Sequence, residues 1–295
     1  MVSTFFTAIM RCKSARAGGI DKTYQLNSDA DMQWIKTEGD AQATGAIEVN
    51  VPSMDRLIAD LERRANAGEG FCLATLNLDH VVKLQASSEF RSAYQAHSHV
   101  TADGRPIVWL SRLSGQTVDL VPGSDLVLPI IDMAQRTGLP VAFFGATETA
   151  LRAAAERLQA QYPHLKIAAK IAPPMGFDPK SQEADGFIDA LQHSGARIVF
   201  LALGAPKQEI FAQRAFLRAP HMGFASVGAG IDFIAGTQKR APAIVRKGAA
   251  EWLWRLASDP RRLFARYMAC FAILPSLTVR ALQGRRSKNG RVEAG

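Results

Sequence analysis

The chain has 295 residues, 47% hydrophobic and 21% charged, with a formal net charge of +8. That balance excludes a globally disordered chain, and the length suits one large domain or two smaller ones. The charge is uneven: residues 239–295 hold 13 Lys/Arg against 3 Asp/Glu, a balance of +10, which leaves −2 for residues 1–238. A near-neutral body with a basic tail argues against nucleic acid over the whole surface. It favours a local anionic partner, such as phosphates or a membrane surface.

Residues 1–45 have little periodicity and read as a poorly ordered N-terminal extension. From residue 46 to 238 the pattern is that of an α/β domain. Ser53 caps a predicted helix through residue 67, followed by a strand over 71–78 and a helix over 81–96. A short strand over 98–101 leads to helices over 105–113 and 124–137, the second opened by Ser124-Asp125 and ended by Gly138. Strand and helix then alternate: 140–144 with 147–161, 166–171 with 181–193, and 197–203 with 206–217. A last strand over 223–227 runs into the turn Gly228-Ala229-Gly230. Continuous apolar strands such as residues 198–203 suit a sheet covered on both faces. The alternation predicts a Rossmann-like, doubly wound, mostly parallel α/β sheet. Residues 239–295 form a different unit, a C-terminal helical basic appendage with helices over 243–257 and 260–283 and a flexible basic end.

Cys12, Cys72 and Cys270 are scattered, without a CxxC or Cys/His cluster, so neither a zinc site nor a disulfide framework is expected. The reading is a reducing cytoplasm. The apolar stretch 5–10 is short and precedes its basic residues, the wrong order for a signal peptide. The run 267–279 is interrupted by Pro275 and falls below the ~20 residues of a span, so no transmembrane helix is expected.

In a doubly wound sheet, ligands bind at the carboxyl ends of the strands. Four corners there carry polar or glycine-rich residues. Thr75, Asn77 and Asp79 alternate onto one side of an otherwise apolar strand, which suits recognition of a sugar or nucleotide. The same residues suit a helix cap, and His80, opening a helix, reads as structural. Asp103 precedes Gly104 at the end of a short strand, placed to act as a general base or to cap a helix. Gly204-Ala205-Pro206 starts a helix whose exposed amides suit phosphate, with Lys207 and Gln208 adding donors. Gly228 and Gly230 allow close backbone approach to a ligand. Gly145, at another strand end, reads as helix–sheet packing. The tail interleaves Arg255, Arg261, Arg262 and Arg266 with Trp252, Trp254, Leu263, Phe264 and Tyr267. That mixture suits an anionic membrane interface first and a core-packed helix second, while no nucleic-acid-binding motif is present.

Several segments, in this order, resemble the WecG/TagA/CpsF glycosyltransferases, family 26. They are TLNLDHVV (75–82), TADGRPIVW (101–109), PGSDL (122–126), FFGA (143–146), YPHLKI (162–167), GAPKQE (204–209), GAGIDFIAG (228–236), RAP (240–242) and EWLWRLASDPRRLFARY (251–267). The resemblance implies transfer of a sugar from a UDP-sugar to a polyprenyl-diphosphate-linked saccharide at the cytoplasmic face of the plasma membrane. The reaction it implies is inverting and needs neither metal nor cofactor. The polymer would be an exopolysaccharide, a capsule or another cell-surface polymer. By motif, Asp103 is the general base, and Thr75 and Asn77 hold the reacting sugars. Gln208 is a polar site residue, and Arg261, Arg262 and Arg266 neutralise a diphosphate. The appendage is implied in peripheral membrane docking. One departure is Leu120, at a position where the family commonly has Arg; Arg105 or Arg112 are alternative suppliers of that contact. Donor identity is open in consequence, as is assembly into a homo-oligomer. Two rival readings are a Rossmann oxidoreductase, disfavoured because GxGxxG is absent, and a non-catalytic sugar-nucleotide or membrane-interaction module.

Overall fold

The computed structural model describes residues 47–238, 256 and 260–292. Helix α1 (Met54–Asn66) opens at Ser53, whose hydroxyl accepts the Arg56 N–H at 3.3 Å. Strand β1 (Phe71–Leu76) is buried along its whole length. Helices α2 (Leu78–Ala86) and α3 (Ser88–Gln95) lead to strand β2 (His99–Ala102), then α4 (Arg105–Leu113) and α5 (Gly123–Thr137). The second half alternates strictly: β3 (Val141–Gly145), α6 (Glu148–Gln161), β4 (Ile167–Ile171), α7 (Gln182–His193), β5 (Ile198–Ala202), α8 (Lys207–Arg218), β6 (Gly223–Ser226) and α9 (Gly230–Ala235). The last described helix is α10 (Pro260–Val292).

The six strands form one sheet in the order β2-β1-β6-β5-β3-β4, and every pairing is parallel. Parallel neighbours need crossovers, so helices cover both faces. The period-2 alternation divides β1 between them. Phe71 and Leu73 pack with α1, α5, α6 and α9, while Cys72, Ala74 and Leu76 face the side that holds α2, α3, α4, α7, α8 and part of α10. Along the β2 edge, Ile47, Val49 and Val51 are buried, and the Val51 N–H donates to the Val100 carbonyl at 3.3 Å. The register sets Leu76 opposite Ala102 and Leu201 opposite Ser226. The strands therefore end nearly level, and the residues that follow them share one rim.

The predicted helix over 81–96 is two helices. Ser87 is extended, and its hydroxyl accepts the Phe90 N–H at 3.1 Å as the N-cap of α3. A local side-chain bond of this kind competes with helix continuation. The predicted Ser124-Asp125 cap is replaced by Pro122, which makes no side-chain cap bond, while Gly138 ends α5 in the left-handed region as expected. The short helix α9 stands where only a glycine-rich turn was expected.

The appendage differs most from expectation. Helix α10 runs through Pro275 to Val292, and its stretch Leu263–Gln283, of mean hydropathy 1.2, is long and apolar enough to cross a membrane by length and composition. Proline removes one backbone donor and crowds the preceding turn, yet here it does not end the helix. One stripe of α10, Leu263, Cys270, Leu277 and Ala281, is buried, and α10 packs on α2 and α4. The extension 1–45, the RAP segment, most of the predicted helix 243–257 with Trp252, Trp254 and Arg255, and the Arg262 side chain lie outside the described residues.

Candidate active site

At the carboxyl rim of the sheet lies a polar cavity of about 480 Å³. Its walls come from the ends of β1, β2, β5 and β6 and from the first turns of α2, α5 and α8. Three helices of eight residues or more thus begin at one cavity. Their N-terminal macrodipoles make it favourable for an anion.

Asp103 and Asn77 lie side by side because their strands end in register. The Asp103 N–H donates to the Leu76 carbonyl at 2.8 Å, and the Asn77 side-chain amide donates to Asp103 Oδ2 at 3.4 Å. Asn77 also caps α2, its Oδ1 accepting the His80 N–H at 3.0 Å. Asn77 therefore both caps α2 and lines the cavity beside Asp103. Asp103 is not the cap of α4, since Gly104 holds that position without a side-chain bond.

Beneath them, His80 Nδ1 meets the Tyr94 hydroxyl at 2.7 Å, and that hydroxyl donates to the Thr75 carbonyl at 2.8 Å. With its proton spent on Thr75, Tyr94 accepts from His80 Nδ1–H. Burial pushes the His80 imidazole down to about 3, so the ring is neutral, and pushes the Tyr94 phenol up, aided by the nearby Glu209 and Asp103 carboxyls. His80 is a structural residue in the cavity floor, as the sequence suggested.

Gln208 is 3% exposed, and its Oε1 accepts the N–H of Gly204 and of Gly228, each at 3.2 Å. Asp79 holds two cations at the rim, Lys83 Nζ at 2.8 Å and Arg266 Nε at 2.7 Å. The second contact ties α10 to the site. Lys83 also donates to the Ala205 carbonyl at 3.1 Å.

Of the residues predicted from sequence, Thr75, Asn77, Asp103, Gly204, Gln208, Gly228, Gly230 and Arg266 line this cavity. Lys207 does not. Its Nζ donates to the Phe177 carbonyl at 2.6 Å, because the 100° step between neighbouring helical residues that sends Gln208 inward turns Lys207 sideways. Arg261 is exposed on the first turn of α10 and is not among the lining residues. Gly145 is a packing glycine, but against the neighbouring strand rather than a helix: a Cβ there would meet the Ala202 backbone of β5 at 2.6 Å. Leu120 bridges to Ala102, and Leu120, Arg105 and Arg112 are not among the residues that line the cavity. Asp79, read with Thr75 and Asn77 as one polar row, lines the cavity too, whereas sequence reasoning gave no site role to Lys83, Gly123 or Ser124, which also line it. The Asp79–Lys83 spacing of four on a helix was the available signal for Lys83.

A family model described as the glycosyl transferase WecG/TagA/CpsF family matches residues 43–290. The chain belongs to this family of glycosyltransferases. Its members act in cell-surface polymer synthesis and use nucleotide-sugar donors and lipid-linked acceptors. The match takes in the α/β body and nearly all of α10, so the Arg266–Asp79 contact joins two parts of one family unit.

Proposed function

We propose that the protein is an inverting, UDP-sugar-dependent glycosyltransferase acting on a polyprenyl-diphosphate-linked saccharide. The observation that carries this reading is the Asp103 carboxylate beside Asn77 in a cavity ringed by helix N-termini. In the proposed step, Asp103 removes the proton from the acceptor hydroxyl as its oxygen attacks the anomeric carbon. The bond from that carbon to the UDP oxygen breaks, UDP leaves as a diphosphate anion, and the anomeric configuration inverts. Negative charge builds on the leaving group, where the first turns of α5 and α8, Lys83 and Arg266 supply positive potential. Thr75 and Asn77 hold the reacting sugars. Donor identity would be a hexose or an N-acetylhexosamine, with Leu120 leaving no arginine at its position.

Membrane association is the second element of the proposal. Phe264, Met268, Phe271, Val279 and Leu282 are exposed on α10, opposite its packed stripe. At 3.6 residues per turn they fall within an arc of roughly 80°. The helix carries eight Lys/Arg and no Asp/Glu. An apolar stripe with basic residues suits the interface of an anionic leaflet and supports a peripheral position on the inner face of the plasma membrane.

The test is a panel of UDP-sugars offered with a short-chain polyprenyl-diphosphate saccharide, the product's anomeric configuration being read by NMR. One donor is expected to give a product of inverted configuration. A retained configuration would contradict direct displacement, and UDP binding without turnover across the panel would favour a non-catalytic module.

A further inference from the structure

The proposed mechanism leaves one buried acid unused. Glu209, next to Gln208 in the first turn of α8, has no solvent exposure. Gln208 Nε2 donates to Glu209 Oε1 at 2.8 Å, while Glu209 Oε2 has no hydrogen-bond partner from another residue among the described residues. Burial pushes this carboxyl up to about 7, against the pull of the Gln208 bond and the Lys83 charge. Burying an acid is costly, and a leucine would serve mere helix–sheet contact at lower cost.

The geometry around Gln208 supplies a reason for the acid. Gly204 follows β5 and Gly228 follows β6, so Gln208 ties two separate loops of the cavity wall through one oxygen. Both glycines have positive φ, +74° and +54°, so neither loop is held by ordinary extended or helical geometry. A glutamine amide has an acceptor on one side and two donors on the other. Two backbone N–H groups require the oxygen, and the flipped amide would set an NH₂ against both. An acceptor beside Nε2 selects the correct orientation, and Glu209 Oε1 is that acceptor.

We infer that Glu209 is a positioning residue: it fixes the Gln208 amide so that the Gly204 and Gly228 loops are clamped at the spacing the donor diphosphate requires. The effect on the donor rests on the reading of this cavity as the UDP-sugar site; the clamp itself does not.

Hydrogen exchange by mass spectrometry, with UDP titration in parallel, tests both parts on the full chain. Glu209→Leu should speed exchange at least tenfold in peptides covering Gly204 and Gly228, with β3 unchanged, and weaken UDP binding at least tenfold. Glu209→Met, run in parallel, should do the same, so the test does not depend on the folding of one variant. Glu209→Gln offers an amide oxygen to Gln208 Nε2 and should restore both readouts to within threefold of wild type. In a Gln208→Met background, Glu209→Leu should add nothing, since the clamp is already gone. Unchanged exchange at both glycines in the Leu and Met variants would overturn the positioning role, as would an equal effect in the Gln208→Met background. Faster exchange with undiminished UDP affinity would leave the clamp standing and overturn the donor-site reading.

Discussion

The rim of the sheet and helix α10 use similar residue types to opposite ends. At the rim, polar side chains are shared between loops: Asn77 serves a helix cap and Asp103, Gln208 serves two glycine loops, and Asp79 serves two cations. Each group is fixed by more than one bond, and each position is reached through a strand buried on both faces. Among the described residues, helix α10 is anchored along one buried apolar stripe and by Arg266, and a second apolar stripe faces outward. The body therefore provides a preorganised site, which charge-stabilising catalysis requires. The helix provides a surface, and Arg266 is the place where the two meet. Chemistry should accordingly fail when the rim is changed, and delivery to the membrane should fail when the outer stripe is changed.

The largest effect should come from the rim. Asp103→Asn is expected to lower kcat by about 10²- to 10⁴-fold, the range for loss of a general base, while UDP affinity and Tm stay near wild type. Wild-type turnover in that variant would sink the general-base assignment. Arg266→Ala, at the junction, should lower kcat/KM roughly 10- to 100-fold by removing positive charge from the leaving group. A smaller loss, about tenfold or less, is expected for Asp79→Asn, which keeps both cations but loosens their placement. If Asp79→Asn proved more damaging than Arg266→Ala, Asp79 would have a role beyond holding the cations.

The smallest effect is on stability against pH. Burial holds His80 at about 3 and His97 at about 4, below the ordinary 6.5. The unfolded chain therefore takes up those protons first. The stabilisation is complete above about pH 6.5 and is lost as pH falls toward the folded values. Glu209 works the other way. Raised to about 7 from 4.5, it binds its proton first in the folded state and offsets part of the loss on acidification. Tm should fall between pH 7 and pH 4, and fall more steeply in Glu209→Gln; a flat profile would contradict the burial of these imidazoles.

Much of this was legible in the sequence for identifiable physical reasons. Continuous apolar runs such as residues 198–202 specify strands buried on both faces, and Ser53, Thr147, Ser181 and Gly138 mark helix ends through local bonds. Asn77, Asp103 and Gln208 were legible because polar residues at the ends of apolar strands converge on one rim. The break at Ser87 was not, because a serine inside a helical pattern caps or continues depending on packing elsewhere. The direction of Lys207 depends on helix phase, which a one-residue error in the start reverses. Gly123 faces the Thr75 hydroxyl and the Val227 carbonyl, a contact between distant segments that spacing does not encode. The continuity of α10 through Pro275 runs against local propensity, in a helix that packs on α2 and α4, contacts that sequence spacing does not report.

The division of labour between rim and helix can be tested with one comparison of acceptors. The variant Phe264→Ser/Met268→Ser/Phe271→Ser removes three exposed apolar side chains, each worth about 1.5–3 kcal/mol when fully buried. Its turnover should be measured with a water-soluble short-chain acceptor and with a long-chain acceptor embedded in anionic vesicles. The expected result is wild-type turnover on the soluble acceptor and at least a tenfold loss on the vesicle-bound one. Equal loss on both acceptors, or no loss on vesicles, would contradict the separation of chemistry at the sheet rim from membrane delivery by α10.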